Sequence, residues 1–168
     1  QTISKLITEG IVEGNDVIQI GLRGQAVDVS TLKWLSARGV KYYTMAAVNL
    51  RGFAKVLTDI KKEARKGPDQ LFVSIDVSVI EPTEMVSAGR IASNGLRVQQ
   101  VTEAIRYLCA AKEIVGFEIT DMSPMLDYSR LSAVNANAIL NACLVGVAVR
   151  KAGLKPEYIH PLALSHGN

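Results

Sequence analysis

Apolar residues along this chain fall alternately into short continuous runs and into stretches with helical spacing. Val17 to Leu22 is a continuous run closed by Arg23 and Gly24, which reads as a buried strand ending in a turn. Thr31 to Arg38 reads as a helix, with Asp28 or Ser30 as its cap and Gly39 just past its end. β-Branched and aromatic residues make Val40 to Ala46 a second strand. Asn49 is then the expected cap of a long helix from about Leu50 to Arg65. Val56, Ile60 and Ala64 line one face of it, and Lys61, Lys62 and Lys66 suit the negative end of its dipole. Gly67-Pro68-Asp69 breaks it.

Leu71 to Val77 is the most strand-like run of the chain. Ser78 to Leu96 has no clear period and carries Pro82, Gly89 and Gly95, so a long loop is expected there. A helix over Arg97 to Lys112 follows, with Val101, Ile105 and Leu108 inward, then a fourth strand at Ile114 to Ile119. Asp121 to Leu131 reads as another loop, and Ser132 to Lys151 as a helix ended by Gly153. The tail from Leu154 to Asn168 holds Pro156, Pro161 and both histidines, His160 and His166. Strand and helix alternating in this way are the signature of right-handed βαβ units around a parallel sheet. The expectation is an α/β domain over residues 1–168 with about four parallel strands covered on both faces. So few strands leave an open sheet edge, which calls for a partner.

Composition narrows the function classes. A length of 168 residues, 48% hydrophobic and 21% charged, fits one globular domain and excludes a disordered chain. A net charge of +3 is too even to mark a nucleic-acid footprint. The longest apolar candidate for a membrane span, Ala136 to Val149, is interrupted by Asn137 and Asn141, so no span is expected. Lys5 and Glu9 punctuate the N-terminal apolar residues, unlike a signal peptide. Cys109 and Cys143 sit in helix-like apolar stretches, which points to buried thiols in a reducing, cytoplasmic setting.

Ligands of open parallel sheets bind beyond the carboxyl ends of the strands, where the two long loops lie. Asp76 ends the third strand, and with Glu81 it offers oxygens to a hard cation. The spacing equally allows Asp76 to cap the strand end by accepting backbone N–H bonds. Other motifs are absent: no Gly-x-Gly-x-x-Gly follows a strand, there is no P-loop, and Ser74 and Ser132 have no neighbouring histidine. Lys61, Lys62, Arg65 and Lys66 read as a solvated helix end, and Trp34 as an inward-packed side chain.

Ser74-Ile75-Asp76-Val77-Ser78-Val79-Ile80-Glu81-Pro82 resembles the third signature of the ureohydrolase family (arginase, agmatinase, formiminoglutamase), Ser-x-Asp-x-Asp-x-x-Asp-Pro. Gln19 to Gly24 is similar to that family's QIGIRG strand, and Gly116 to Pro124 to its GFDIVEVSP strand and turn. The resemblance implies a three-layer α/β/α fold, a binuclear Mn2+ centre, and hydrolysis of guanidino or amidino groups by metal-activated water. It places Asp76 at the carboxylate that touches both metals and Ser78 at a second metal-binding Asp, now lost. Glu81 stands in for the Asp before Pro82 as a further metal ligand, and Asp121 for the catalytic Glu that contacts the guanidinium. Gly89 and Gly95 keep the glycines of the substrate loop. The family's Gly-Gly-Asp-His and Asp-Ala-His-x-Asp signatures, which carry its metal-binding histidines, do not occur. His160 and His166 do not replace them by motif and read as surface residues.

The chain therefore resembles the C-terminal half of a ureohydrolase. The implied partner is an N-terminal half or second chain carrying the histidines, or further copies in an oligomer. A weakened or altered metal site in a guanidino-hydrolysing assembly is one expectation; a non-catalytic ureohydrolase-like subunit is the other.

Overall fold

The computed structural model describes residues 2–24 and 28–157. His160, His166 and the chain beyond Glu157 lie outside the described residues. A short helix α1 (Thr2–Thr8), for which the sequence pattern makes no claim, precedes strand β1 (Ile18–Leu22). Helix α2 (Val29–Ala37) is capped by Asp28, whose carboxylate accepts the Thr31 N–H at 2.8 Å. Strand β2 (Lys41–Thr44) then runs straight into helix α3 (Met45–Arg51). Thr44, not Asn49, caps that helix through a 3.2 Å bond from the Ala47 N–H. The single long helix expected here is two, because Gly52 separates α3 from α4 (Phe53–Lys66). Asn49 lies inside α3 and instead donates to Asn94 Oδ1 at 2.9 Å.

Strand β3 (Gln70–Asp76), helix α5 (Val98–Ala111), strand β4 (Glu113–Thr120) and helix α6 (Leu131–Lys151) complete the order. All strand pairing is parallel, as expected, but the four strands form two separate pairs, β1–β2 and β3–β4. β1 meets the turn after β3, with Gly21 packed on Val79, and is not hydrogen-bonded to β3 among the described residues. The expected parallel α/β architecture with about four strands holds, the described strands standing in two pairs.

One core joins the two pairs. Val56 and Ile60 of α4, Val101 and Ile105 of α5, and Ile139 of α6 are buried with Val73 and Ile75 of β3, and Ile18, Ile20 and Tyr43 pack against them. Each such side chain removed from water contributes ~1.5–3 kcal/mol before entropy is set against it. A smaller cluster lies on the opposite face of β1–β2, where Ile7 of α1 and Leu35 of α2 pack with Val40, Trp34 and Tyr42.

Helices α5 and α6 approach closely because Gly146 has no side chain: a Cβ there would sit 2.4 Å from the Arg106 carbonyl oxygen. At that crossing Cys109 and Cys143 are joined in a disulfide, with Cα atoms 5.3 Å apart. They are buried as expected but not free thiols, a relation that spacing along the sequence does not show. The expectation of no membrane-length apolar run is also corrected. Helix α6 reaches a mean hydropathy of 1.6 over a window long enough to cross a membrane. Its inward stripe, Ala136, Ile139, Cys143, Gly146 and Val149, is buried, as in the core helix of an α/β domain.

Candidate active site

The carboxyl ends of the strands bring the sequence-selected residues to one edge. Asp76 and Thr120 are partners in the β3–β4 register, so Asp76 and Asp121 project from neighbouring strand ends. The loop between Val79 and Val98 is held beside them. Ile80, Met85 and Leu96 are essentially fully buried, and the Leu96 N–H reaches the Val79 carbonyl at 3.0 Å. Hydrophobic anchors at both ends thus order a segment whose sequence shows no period.

Asp121 has a left-handed backbone, φ 61°. Its carbonyl accepts the Gly89 N–H at 3.2 Å, and its carboxylate accepts the Arg90 N–H at 3.3 Å. A Cβ on Gly89 would lie 2.6 Å from Asp121 Oδ1. Gly89 is therefore the space in which the Asp121 carboxylate sits.

Glu81 is held in a similar way. Its carboxylate accepts the Gly95 N–H at 2.7 Å, and a Cβ on Gly95 would meet the Glu81 nitrogen at 2.5 Å. Asp76 accepts the Ser78 N–H at 2.9 Å, the capping role that its position allowed.

Sequence reasoning missed Arg23, the residue that ties this edge together. From the end of β1 its guanidinium donates to the carbonyls of Ala92 (2.7 Å), Ile80 (3.1 Å) and Ser93 (3.1 Å). Burial pulls its pKa down, while the charges of Glu81 and Asp76 pull it back up. A charged residue placed directly after a buried strand, before Gly24, was the signal available in the sequence.

A second unanticipated device sits behind Asp121. Asp127 accepts the Ser129 hydroxyl at 2.5 Å and the Ser132 N–H at 2.6 Å, which anchors the start of α6. Those bonds, the Ser129 hydroxyl first, hold its pKa down at about 2. The Ser132 hydroxyl in turn accepts the Ser87 N–H at 3.0 Å, so the start of α6 and the loop carrying Gly89 are fixed to each other.

The described residues do not fit a binuclear metal centre by themselves. Asp76 and Glu81 are each engaged by backbone N–H groups, and Ser78 offers a neutral hydroxyl. Among the described residues, no three His, Cys, Asp or Glu side chains gather in a way that could hold a metal ion.

A family profile described as the Arginase family matches residues 1–146. The chain belongs to the arginase family. Formimidoylglutamase of Bacillus subtilis is 24% identical over 143 residues, covering 85% of this chain and 45% of that protein. Proclavaminate amidinohydrolase of Streptomyces clavuligerus is 26% identical over 133 residues, covering 79% of this chain and 42% of that one. The crystal structure of the Bacillus subtilis formimidoylglutamase superposes with a TM-score of 0.79, at 24% identity, over 86% of this chain and 45% of that chain. The proclavaminate amidinohydrolase structure superposes with a TM-score of 0.77, at 24% identity, over 88% and 47% of the two chains. This arginase-family chain thus spans under half the length of the relatives it matches, and its fold is arginase-like α/β.

Proposed function

We propose that this chain forms the C-terminal, substrate-facing part of an arginase-family hydrolase that cleaves a C–N bond of a guanidino or amidino compound. The observation that carries the reading is Asp121. Its carboxylate stands at the strand-end edge beside Asp76, in a cradle that Gly89 leaves open. A planar amidinium cation presents N–H groups that a carboxylate accepts, so the role assigned to Asp121 is to bind and orient the substrate cation. Arg23 and Gly95 hold the loop around Glu81, and Asp127 with Ser132 holds the turn that carries Asp121.

The Mn2+ ions of the proposal are bound with ligands from the remainder of an arginase-family fold, a further chain segment or second polypeptide. Asp76 and Glu81 give at most part of the set, and no catalytic step is assigned to metal on these residues. The test is hydrolysis of a panel of guanidino and formimidoyl compounds by the natively purified protein, with its manganese content measured in parallel. Turnover is expected, and Asp121→Asn lowers kcat/KM roughly 10- to 100-fold, the worth of one charge-assisted hydrogen bond. A native preparation inert on the whole panel refutes the reading.

One observation favours a second reading, a non-catalytic arginase-family subunit. Ser78 stands where the signature it resembles has a metal-binding Asp, and both nearby carboxylates accept backbone N–H groups of this chain. Inert protein without bound manganese supports it.

A further inference from the structure

The loop that carries Gly89 is fixed on both sides of Arg90. Before it, the Gly89 N–H reaches the Asp121 carbonyl at 3.2 Å. After it, Arg23 holds the carbonyls of Ala92 and Ser93, and Asn49 donates to Asn94 Oδ1 at 2.9 Å. Arg90 itself donates its backbone N–H to the Asp121 carboxylate at 3.3 Å. Its guanidinium therefore springs from a backbone one hydrogen bond away from the group assigned to the substrate cation. The neighbouring cations are taken: Arg23 by three carbonyls and Arg97 by Glu84. Arg130 lines the cavity behind the Asp121 turn together with Asp127, whose charge opposes an anion there. The Arg90 side chain makes no hydrogen bond or ion pair among the described residues, and every Asp and Glu of the chain is among those residues. This loop thus holds a cation with no carboxylate partner in its own chain beside a carboxylate placed to receive a cation.

From this we infer that Arg90 is a specificity-determining residue, selecting an amidino or guanidino compound that carries a carboxylate at its far end. The inference deepens the proposed function and rests on its reading of Asp121 as the partner of the amidinium. The planar guanidinium presents paired N–H donors that match a carboxylate in bidentate fashion, and it stays charged at any working pH. Its flexible aliphatic stem lets that fork reach along a short substrate whose other end lies on Asp121. A compound ending in an ammonium group meets like charge at Arg90, and one with a neutral end forgoes the ion pair. Arg90 is exposed, so the preference is salt-sensitive and amounts to roughly 3- to 10-fold.

The test uses the natively purified protein and matched guanidino and formimidoyl compounds of equal length, ending in a carboxylate, a carboxamide or an amine. Guanidinobutyrate, guanidinobutyramide and aminobutylguanidine make one such set. Turnover and calorimetric binding are measured separately. The expected order is carboxylate, then carboxamide, then amine, in both affinity and KM, with the advantage of the carboxylate shrinking as salt is raised. Arg90→Gln raises KM for the carboxylate compound roughly 3- to 10-fold with a smaller effect on kcat, and abolishes the salt-dependent preference; Arg90→Lys restores part of it. Equal or tighter binding of the amine by the native protein overturns the inference. So does an Arg90→Gln protein that keeps the carboxylate preference or weakens on all three compounds alike. The two conclusions fail separately. Arg90-dependent selection of the carboxylate without turnover keeps the role of Arg90 and rejects hydrolysis; turnover without selection does the reverse. A protein that neither binds nor hydrolyses any of the compounds rejects both.

Discussion

Reducing the Cys109–Cys143 bond lowers the stability of the α5–α6 layer by about 3.8 kcal/mol, from the closure entropy of the 34-residue separation it spans. The comparison of oxidised with reduced protein isolates the cross-link, because both sulfur atoms stay in place and packing at the crossing changes little. With a denaturant slope of about 2 kcal/mol per M urea, the unfolding midpoint falls by about 2 M. Trp34 lies in α2, on the far side of the β1–β2 pair, so its fluorescence reports an α5–α6 effect only if the two regions unfold together. Far-ultraviolet circular dichroism, read beside it, follows the long helices directly. Alkylation after denaturation without reductant supplies the chemical control. Labelling of both cysteines, or urea transitions that coincide with and without reductant, refutes the reasoning. Cys143→Ala alone shifts the oxidised protein to or below the reduced midpoint, since it removes both the bond and some buried sulfur.

Gly89→Ala drives a methyl against Asp121 Oδ1, 2.6 Å away, so it lowers kcat/KM for the proposed substrate while the melting temperature moves little, because the loop edge is exposed. Unchanged kinetics would remove Gly89 from the positioning of Asp121. Gly146→Ala pushes α5 and α6 apart and costs about 1–3 kcal/mol, measured as a lower urea midpoint. Asp127 has its pKa lowered to about 2, below the ~3.9 of an unfolded aspartate. Its stabilisation is therefore complete above the unfolded value and disappears as pH falls from about 4 through 2, so Asp127→Asn flattens the acid limb of melting temperature against pH. Ser78→Asp tests the metal half-site: tighter manganese binding in the native protein supports the enzyme reading, and no change supports the non-catalytic one.

The strands and the outer helices were legible because each carries a local signal. Continuous apolar runs mark β1, β3 and β4, and Asp28 marks the start of α2 through the oxygen it offers to a free N–H. The break between α3 and α4 was not, because Asn49 has the chemistry of a cap and its competitor Thr44 lies inside a strand-like run. Neither the separation of the strands into two pairs nor the Cys109–Cys143 bond has any local signature. Both depend on which elements meet in space.

At the candidate site, the sequence singled out Asp76, Glu81, Gly89, Gly95 and Asp121, which the fold gathers around one strand-end edge. Gly89 and Gly95 were marked as parts of a substrate loop, yet each makes room for polar groups of this chain. Gly89 accommodates the Asp121 carboxylate, and Gly95 the Glu81 backbone and the Arg23 guanidinium. Both glycines stand where a side chain would collide. At Gly95 the collision is with the backbone of Ile80 and Glu81, so the fold itself demands glycine, whereas at Gly89 it is with the Asp121 carboxylate, whose position the glycine sets. The close contacts at Gly89 and Gly95 are thus set by the fold itself, and they hold Asp121 and Glu81 in place whichever chemistry the complete site performs.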